Sequence, residues 1–439
     1  MPAVPHPPWR VPLVGDALSL SARTPAQSIT EHAAALGDIY EVRVLRYPRM
    51  LIVNSAALAE PVLDDRNWTK VNGPAFRRLA PMAPTGLLFT DTEDAVWRLA
   101  HDRLQPAFSR AAMRRYHAAM NPVIAEHIRR WGALPQPINV SDLTQDLAYD
   151  LITRAGFGAE LTREQRAEFV DTMFALIRTT NRGKVIPFLD AVLGVNPVPP
   201  HAQALWRHVE MVVDSGSGEA PLSAALADTD PERGAPLTRQ QAVDQAVVML
   251  IAGHETTAGT VAFALHELSR HPEAADRARA ELAETGRHPG ELEYEDIAGL
   301  RYLRSIVDET LRLHPVAPAF IRAARSPATL GGHRVTPDDW VYLNLLAIHR
   351  DPSVWTDPDR FDPERFLAGP PPLTYKPFGT GARACIGRAL ALHEAVLTLA
   401  HLLHEHDLGR TGYRLDIEEF PTLKPRDLTL RVTARAAAH

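Results

Sequence analysis

The chain of 439 residues contains a single cysteine, which excludes an intrachain disulfide framework and a cysteine-rich zinc site. Its formal net charge of −6 gives no reason to expect nucleic acid as a partner. The proline-rich N-terminus lacks the basic region and apolar run of a secretory signal. No segment approaches the ~20 consecutive apolar residues of a membrane span. We therefore expect no membrane and a cytoplasmic location, where a lone cysteine stays reduced.

The composition is that of an ordinary soluble globular protein, with 45% hydrophobic and 23% charged residues. Much of the chain has the apolar spacing of amphipathic helices. Only short stretches, such as DIYEVRVL and RMLIVNS, have a β-type pattern. The sequence therefore predicts a mainly α protein with a small β portion.

The only cysteine, Cys385, lies in a glycine-rich loop that leads into a predicted helix. Gly379, Gly381 and Gly387 flank it in the string FGTGARACIG, and glycine permits tight turns and close approach to another surface. Backbone N–H groups at the start of the helix favour a thiolate. From these residues alone, Cys385 is a buried structural cysteine, a nucleophile that needs a nearby base, or an axial ligand of haem iron.

A long apolar helix is predicted from Thr238, where Gln241 completes a capping box, to the residue before Pro272. The string AGHETT interrupts its apolar surface, and burying Glu255 there costs free energy unless the carboxyl is paired. A zinc-protease motif is excluded because Ala258 stands where HExxH requires its second histidine. A helix–helix contact between small residues is the alternative explanation of AGHETT.

Two further patterns have ordinary explanations when taken alone. Trp97 and His101 lie four residues apart, which is typical of a core aromatic beside a hydrogen-bonded histidine. Glu309 and Arg312 are i, i+3 neighbours, a spacing that usually gives a solvated surface pair.

Taken together, the strings AGHETT, ETLR, FDPERF and FGTGARACIG resemble, in this order, the motifs of the cytochrome P450 family. The resemblance extends from about residue 37 to 425. It implies a cytochrome P450 fold around a buried haem b, in a single domain over 1–439. A β-containing lobe is expected at about 37–60 and 315–350, and a helical lobe at about 90–310 and 377–406.

The resemblance also implies a role for each candidate residue. Cys385 is the iron ligand, and its loop contacts haem through Phe378, Gly379, Arg383 and Gly387. Trp97 lines the haem edge, and the haem propionates are bound by His101, Arg322 and, as a weaker candidate, Lys70. Oxygen handling and proton delivery fall to Ala252, Glu255 and Thr256. Glu309, Arg312 and Arg365 anchor the cysteine loop as structural residues. The substrate pocket is lined by Leu88, Ala252, Ala319 and Phe420, under a roof of helices at about 174–205.

Within the family, AGHETT, PAFIRAA, ALHEA and TLKP look most like the haem domains of self-sufficient bacterial fatty-acid hydroxylases. Two features differ, since no reductase follows the haem domain and VLRYPRML does not reproduce their Arg/Tyr carboxylate clamp. Arg46, Tyr47 and Arg49 are only near that position, and Leu88 replaces an aromatic residue. We therefore expect electrons from a ferredoxin or flavodoxin with its reductase, and an apolar substrate such as a natural-product intermediate.

The implied activity is that of a haem-thiolate monooxygenase, which inserts one oxygen atom from O2 into a C–H bond. The alternatives are a fatty-acid hydroxylase, a peroxide-driven variant, a thiolate-haem binding or sensor protein, and a haem-free helical protein with a structural cysteine. A sensor has no need of AGHETT, and the pair of Glu255 and Thr256 argues for O2 rather than peroxide chemistry.

Overall fold

The fold is described from a computed structural model, which covers residues 3–12, 14–45, 47–162, 164–172, 202–420 and 422–435. Helices dominate this part of the chain, and the strands form small sheets. The prediction of a mainly α fold with a small β portion is therefore confirmed. Of the predicted roof at about 174–205, residues 174–201 lie outside the described residues.

The α-helices have the following bounds: Pro25–Leu36, Ala56–Ala59, Pro74–Leu79, Ala95–Leu104, Arg110–Ala133, Val140–Asp150, Ala202–Ser215, Pro221–Leu226, Arg239–Arg270, Pro272–Glu284, Tyr294–Ile297, Arg301–Leu313, Leu345–Ile348 and Arg388–Glu405. A π-helical segment, Leu151–Phe157, continues the sixth of them. Residues 164–172 are also helical.

The strands are β1 (Ile39–Val42), β2 (Met50–Val53), β3 (Trp68–Val71), β4 (Ile138–Asn139), β5 (Ala319–Ala324), β6 (Ala328–Leu330), β7 (His333–Val335), β8 (Trp340–Asn344), β9 (His406–Gly409), β10 (Ile417–Phe420), β11 (Thr422–Pro425) and β12 (Thr429–Ala434). The largest sheet has the order β1-β2-β8-β5-β3, and β2 and β8 run parallel. It joins the N-terminal part of the chain to the part after residue 318. The β10–β11 pair forms a separate antiparallel hairpin.

The helix Arg239–Arg270, called the central helix below, is the longest described. The predicted capping box is present, because the Thr238 hydroxyl and the Gln241 amide each accept from the other's backbone N–H. The first half of the helix packs into one hydrophobic cluster, and the second half contributes Val261, Ala264, Leu265 and Leu268 to another. AGHETT lies between these two clusters.

The expectation that no segment is apolar enough to cross a membrane is wrong for the central helix. By length and composition it is apolar enough to cross a bilayer, although the sequence was expected to contain no such segment. In the structure, 83% of its most apolar window is buried inside the protein. It therefore has the burial of a core helix.

A buried carboxylate fixes the approach to the cysteine loop. Glu309 and Arg312 lie on the helix Arg301–Leu313, and both side chains are fully buried. Two guanidinium nitrogens of Arg312 donate to the Glu309 carboxylate at 2.7 and 2.8 Å, and Arg365 Nε donates to it at 3.1 Å. Arg312 also donates to the carbonyls of residues 349, 358 and 360. One ion cluster therefore ties this helix to the segment that precedes the loop.

Replacing Arg312 with alanine should lower the apparent free energy of unfolding by about 3–5 kcal/mol, because Glu309 is left buried without its main partner. Arg304→Ala is a matched control on the same helix, since Arg304 makes only a half-exposed pair with Asp308 at 2.7 Å. That change should cost less than about 1 kcal/mol. Urea titration of both variants measures the difference, and equal losses would contradict the structural role of the cluster.

Candidate functional site

The cysteine loop, residues 377–387, is shaped by two glycines with positive φ. Gly379 has φ 70° and Gly381 has φ 66°, a backbone region that residues with a Cβ adopt at a cost. The Cys385 N–H donates to the Phe378 carbonyl at 2.9 Å and closes the loop. Gly387 then occupies the N-cap of the helix Arg388–Glu405. The sequence therefore places the thiol just before a helix N-terminus.

The Cys385 thiol has an unusual environment. Its side chain is exposed, yet burial by surrounding protein raises its pKa, against the opposing effects of the Gly387 N–H and Arg388. A side chain that faces an enclosed space has both properties. Contrary to the expectation from the helix N-terminus, the loop alone does not favour the thiolate. Coordination to a metal cation deprotonates such a thiol.

AGHETT opens a gap in the burial of the central helix. From Ala242 to Ser269 every residue is buried except Ala252, Gly253 and Thr256. These three residues are partly accessible within an otherwise buried stretch, and a Cβ on Gly253 would lie 3.1 Å from the Ile152 side chain. The Thr256 hydroxyl donates to the Ala252 carbonyl at 2.7 Å, and its oxygen retains lone pairs that can accept a further hydrogen bond.

Glu255, beside Thr256, points into the protein. It is 4% exposed, and burial raises its pKa to about 7, with Lys424 opposing the shift and Glu418 adding to it. A carboxyl with this pKa is close to half-protonated at neutral pH, so it can both give and accept a proton.

A second group of predicted residues lies near Arg383 of the cysteine loop. The Trp97 ring stacks on His101 with centroids 4.9 Å apart, and the Arg383 guanidinium lies 5.1 Å from the Trp97 ring. The Trp97 indole N–H is buried and has no hydrogen-bond partner among the described residues. Lys70 is close enough for Arg383 to disfavour its charge.

Negative charge from Asp91 and Glu93 compensates these cations only in part. Burial and the neighbouring Arg383 lower the pKa of Lys70 to about 7. Burial also lowers the pKa of Arg383 to about 10, although Asp91 and Glu93 oppose this. Both side chains donate to the Leu88 carbonyl, at 3.2 and 3.5 Å. A bound carboxylate would stabilise both cations and accept from the unpaired indole N–H.

Arg322 does not join this group through its hydrogen bonds. Its guanidinium pairs with the Asp65 carboxylate and donates to the carbonyls of Val62 and Trp68, at 3.0 and 3.1 Å for the two carbonyls. Asp65 in turn accepts from the Ala382 N–H at 2.8 Å. Arg322 is therefore connected to the cysteine loop through Asp65, a residue that the sequence reasoning missed.

The predicted substrate residues Leu88, Ala319 and Phe420 stay predictions, and the structure shows only where they lie. Leu88 and Ala319 are partly accessible, and Leu88 packs beside the hydrophobic cluster of the first half of the central helix. The backbone of Phe420 ends β10, but its side chain lies outside the described part of the chain.

The segment that carries Leu88 is held by residues that the sequence reasoning also missed. Gln245 of the central helix accepts from the Leu87 N–H at 2.8 Å, and Asp244 accepts from the Thr85 N–H at 2.8 Å. Arg383 donates to the Leu87 carbonyl at 3.0 Å. One short segment therefore links the central helix to the cysteine loop. Buried Asp and Gln within an apolar run were the available signal.

These features fit a haem. The thiol could ligate iron, the cations and the unpaired indole N–H could bind propionates, and the small residues at the gap leave room beside a planar group. The fold and this donor set therefore indicate a haem protein with a thiolate ligand.

The sequence matches the family model described as Cytochrome P450 over residues 5–427. The chain belongs to the cytochrome P450 family, and its cofactor is haem b.

The relatives include proteins with a second named activity. The chain is 32% identical, over 99% of its length, to a bifunctional cytochrome P450/NADPH–P450 reductase of Bacillus cereus. It is 32% identical, over 94% of its length, to the bifunctional cytochrome P450/NADPH–P450 reductase 2 of Bacillus subtilis. A self-sufficient cytochrome P450 monooxygenase of Phanerodontia chrysosporium is 31% identical over 96% of the chain. The chain spans 42%, 41% and 42% of the length of these relatives.

Gly381→Ala should disrupt thiolate ligation, because a Cβ at this position would clash with the Asp65 carboxylate. Gly379→Ala is the matched control, since its φ is also positive but a Cβ there would meet nothing closer than 3.9 Å. Both variants carry the backbone strain of about 1–2 kcal/mol, and only Gly381→Ala adds the clash.

The ferrous–CO difference spectrum measures the fraction of thiolate-ligated haem in each variant. We expect a large loss for Gly381→Ala and a small one for Gly379→Ala. Equal spectra would show that the Asp65 contact does not shape the loop.

Proposed function

We propose that the protein is a haem-thiolate monooxygenase that inserts one oxygen atom from O2 into a C–H bond of an apolar small molecule. The proposal treats residues 1–439 as a single haem domain with Cys385 as the iron ligand. The observation that carries it is the gap at Ala252, Gly253 and Thr256, with the buried carboxyl of Glu255 beside it. A protein that only binds haem has no need of a proton donor at that place.

The chain's own residues divide the work as follows. Haem, when bound through a thiolate, supplies the iron chemistry that activates O2 and favours O–O cleavage. Ala252, which is small and partly accessible, leaves space beside the central helix, and Gly253 allows the side chain of Ile152 to pack closely. The Thr256 hydroxyl oxygen accepts a hydrogen bond from a group in that space. Glu255 supplies protons to the same space from the protein side.

The charges around VLRYPRML support a substrate without a carboxylate. Arg49 donates to Glu41 at 2.6 Å, and Arg10 donates to the same carboxylate at 2.7 Å. Although burial alone would raise it, the pKa of Glu41 falls to about 2 because Arg43, Arg49 and Arg10 hydrogen-bond to it. Arg49 is therefore already paired with an internal carboxylate, and Arg46 lies outside the described residues. We infer an apolar natural-product intermediate in preference to a fatty acid.

Electrons come from outside this haem domain in the proposal. Two of the relatives are named as fusions of a cytochrome P450 with an NADPH–P450 reductase. A ferredoxin or flavodoxin with its reductase would do the same work here, and a cytoplasmic location would supply both.

The proposed function is tested by reconstituting purified protein with a ferredoxin, its reductase and NADPH. We expect a thiolate-type ferrous–CO spectrum, type I spin-state shifts with apolar polycyclic or macrocyclic compounds, and oxygenated product from those that bind. Cys385→Ser should abolish both spectrum and product. A thiolate spectrum without turnover of any binding compound would favour a sensor, and tight binding of long-chain fatty acids alone would favour a fatty-acid hydroxylase.

Thr256→Ala should uncouple electron consumption from product, lowering product per NADPH by roughly tenfold or more, because general acid–base assistance is typically worth ~10²–10⁴ in rate. Thr257→Ala is the matched control, since Thr257 is buried at 3% exposure and does not face the gap. It should leave coupling near the wild-type value.

Product and hydrogen peroxide are measured together for both variants. Equal coupling in Thr256→Ala and the wild type would remove Thr256 from the proton path.

A further inference from the structure

The β10–β11 hairpin packs on the face of the central helix that carries Glu255. A Cβ built on Gly259 would lie 3.0 Å from the Leu423 carbonyl and 3.6 Å from the Lys424 Cβ. Gly259 follows Glu255 by four residues, so the two share one face of the helix. The hairpin therefore approaches Glu255 with backbone and with the side chain of Lys424.

Lys424 is a buried cation between two acids. Its side chain is 7% exposed, and its ammonium lies 3.8 Å from the Glu418 carboxylate, which is 39% exposed. Glu418 and Lys424 are direct cross-strand partners in the hairpin. A lysine is almost never buried this deeply without a carboxylate partner. One such partner reaches solvent, and the other side of Lys424 faces the central helix.

The remaining neighbours add little charge to Glu255. His254 precedes it on the central helix, and burial lowers the pKa of this imidazole to about 3, so it is neutral at pH 7. Asp142, on the packed helix Val140–Asp150, interacts with Lys424. Glu419 points to the other side of the hairpin, where it accepts from the Ala26 N–H at 2.7 Å.

We propose that Lys424 and Glu418 are positioning residues that set the protonation state of Glu255 and connect it electrostatically to solvent. The inference rests on the proposed function, in which Glu255 supplies protons. The chain at the helix–hairpin contact is ordered as buried acid, buried cation and half-exposed acid. The hairpin is therefore part of the proton supply.

The two residues act on Glu255 in opposite directions. The Lys424 ammonium favours the carboxylate and lowers the Glu255 pKa, whereas the Glu418 carboxylate raises it. Neutralising Lys424 should therefore move the titration of Glu255 to higher pH. Neutralising Glu418 should move it to lower pH. A merely structural role for the hairpin predicts no such opposed pair of shifts.

The test is an infrared difference titration of resting ferric protein without substrate or reductant. The protonated carboxyl band of Glu255 is identified by its loss in Glu255→Gln. We expect Lys424→Met to raise the titration midpoint of this band by about one pH unit. Lys424→Arg keeps the charge and should leave the midpoint near the wild-type value, and Glu418→Gln should lower it. Asp416→Asn, an exposed carboxylate just before the same hairpin, is the control and should leave the midpoint unchanged.

Glu418→Gln keeps the test decisive if Lys424→Met does not fold, because Glu418 is half-exposed. Unchanged midpoints in Glu418→Gln and in every folded Lys424 variant would overturn the inference, and so would shifts in the same direction. The pH at half-maximal product formation, measured on the same variants, tests the proposed function separately. If the infrared midpoints shift in opposite directions but the pH dependence of product formation does not change, the electrostatic link to Glu255 stands. In that case Glu255 is not the proton donor.

Discussion

The architecture of the site depends on the ion cluster that Glu309 forms with Arg312 and Arg365. The Glu309 carboxylate is fully buried and is held by two guanidinium groups and the Asp362 N–H, at 2.8 Å for the last. A charge removed from water in this way is tolerated only with complete pairing. The same Arg312 binds three backbone carbonyls, and Tyr375 donates to the Asp308 carbonyl at 2.8 Å. The segment leading to Cys385 therefore has little freedom.

The central helix solves a related problem differently. The proposed function requires polar groups in the middle of an apolar helix, where unpaired polar groups are costly. Thr256 satisfies its hydroxyl within the helix, and Glu255 is balanced by a lysine from a hairpin distant in sequence. Gln245 and Asp244 accept hydrogen bonds from the backbone of the segment that carries Leu87 and Leu88. The polar residues of this helix thus organise its surroundings.

Local patterns predicted much of this molecule. The central helix could be predicted from its capping box and from Pro272. These signals are local, because caps and prolines act on their own few residues. The motifs around Cys385, Glu255 and Glu309 pointed to the family because they occur in a fixed order.

The contacts that periodicity could not predict are long-range. Asp65 reaches Ala382 across 317 positions, and Asp244 reaches Thr85 across 159. Nothing in the residues near Asp65 indicates that its carboxylate lies in the cysteine loop. For the same reason, Arg322 could be assigned to a propionate from the sequence although its guanidinium is paired with Asp65. Lys424 was likewise unremarkable within TLKP, because its burial depends on a helix elsewhere in the chain.

Because Asp65 lies so close to Gly381, substitutions at these two positions are coupled in evolution. The space that a side chain at 381 would need is taken by a carboxylate contributed from the far end of the chain. Descendants could enlarge residue 381 only after residue 65 had become smaller, and each step alone would be disfavoured. Chimeras that exchange the C-terminal third of this protein with a relative should therefore work best when the short stretch around Asp65 travels with it.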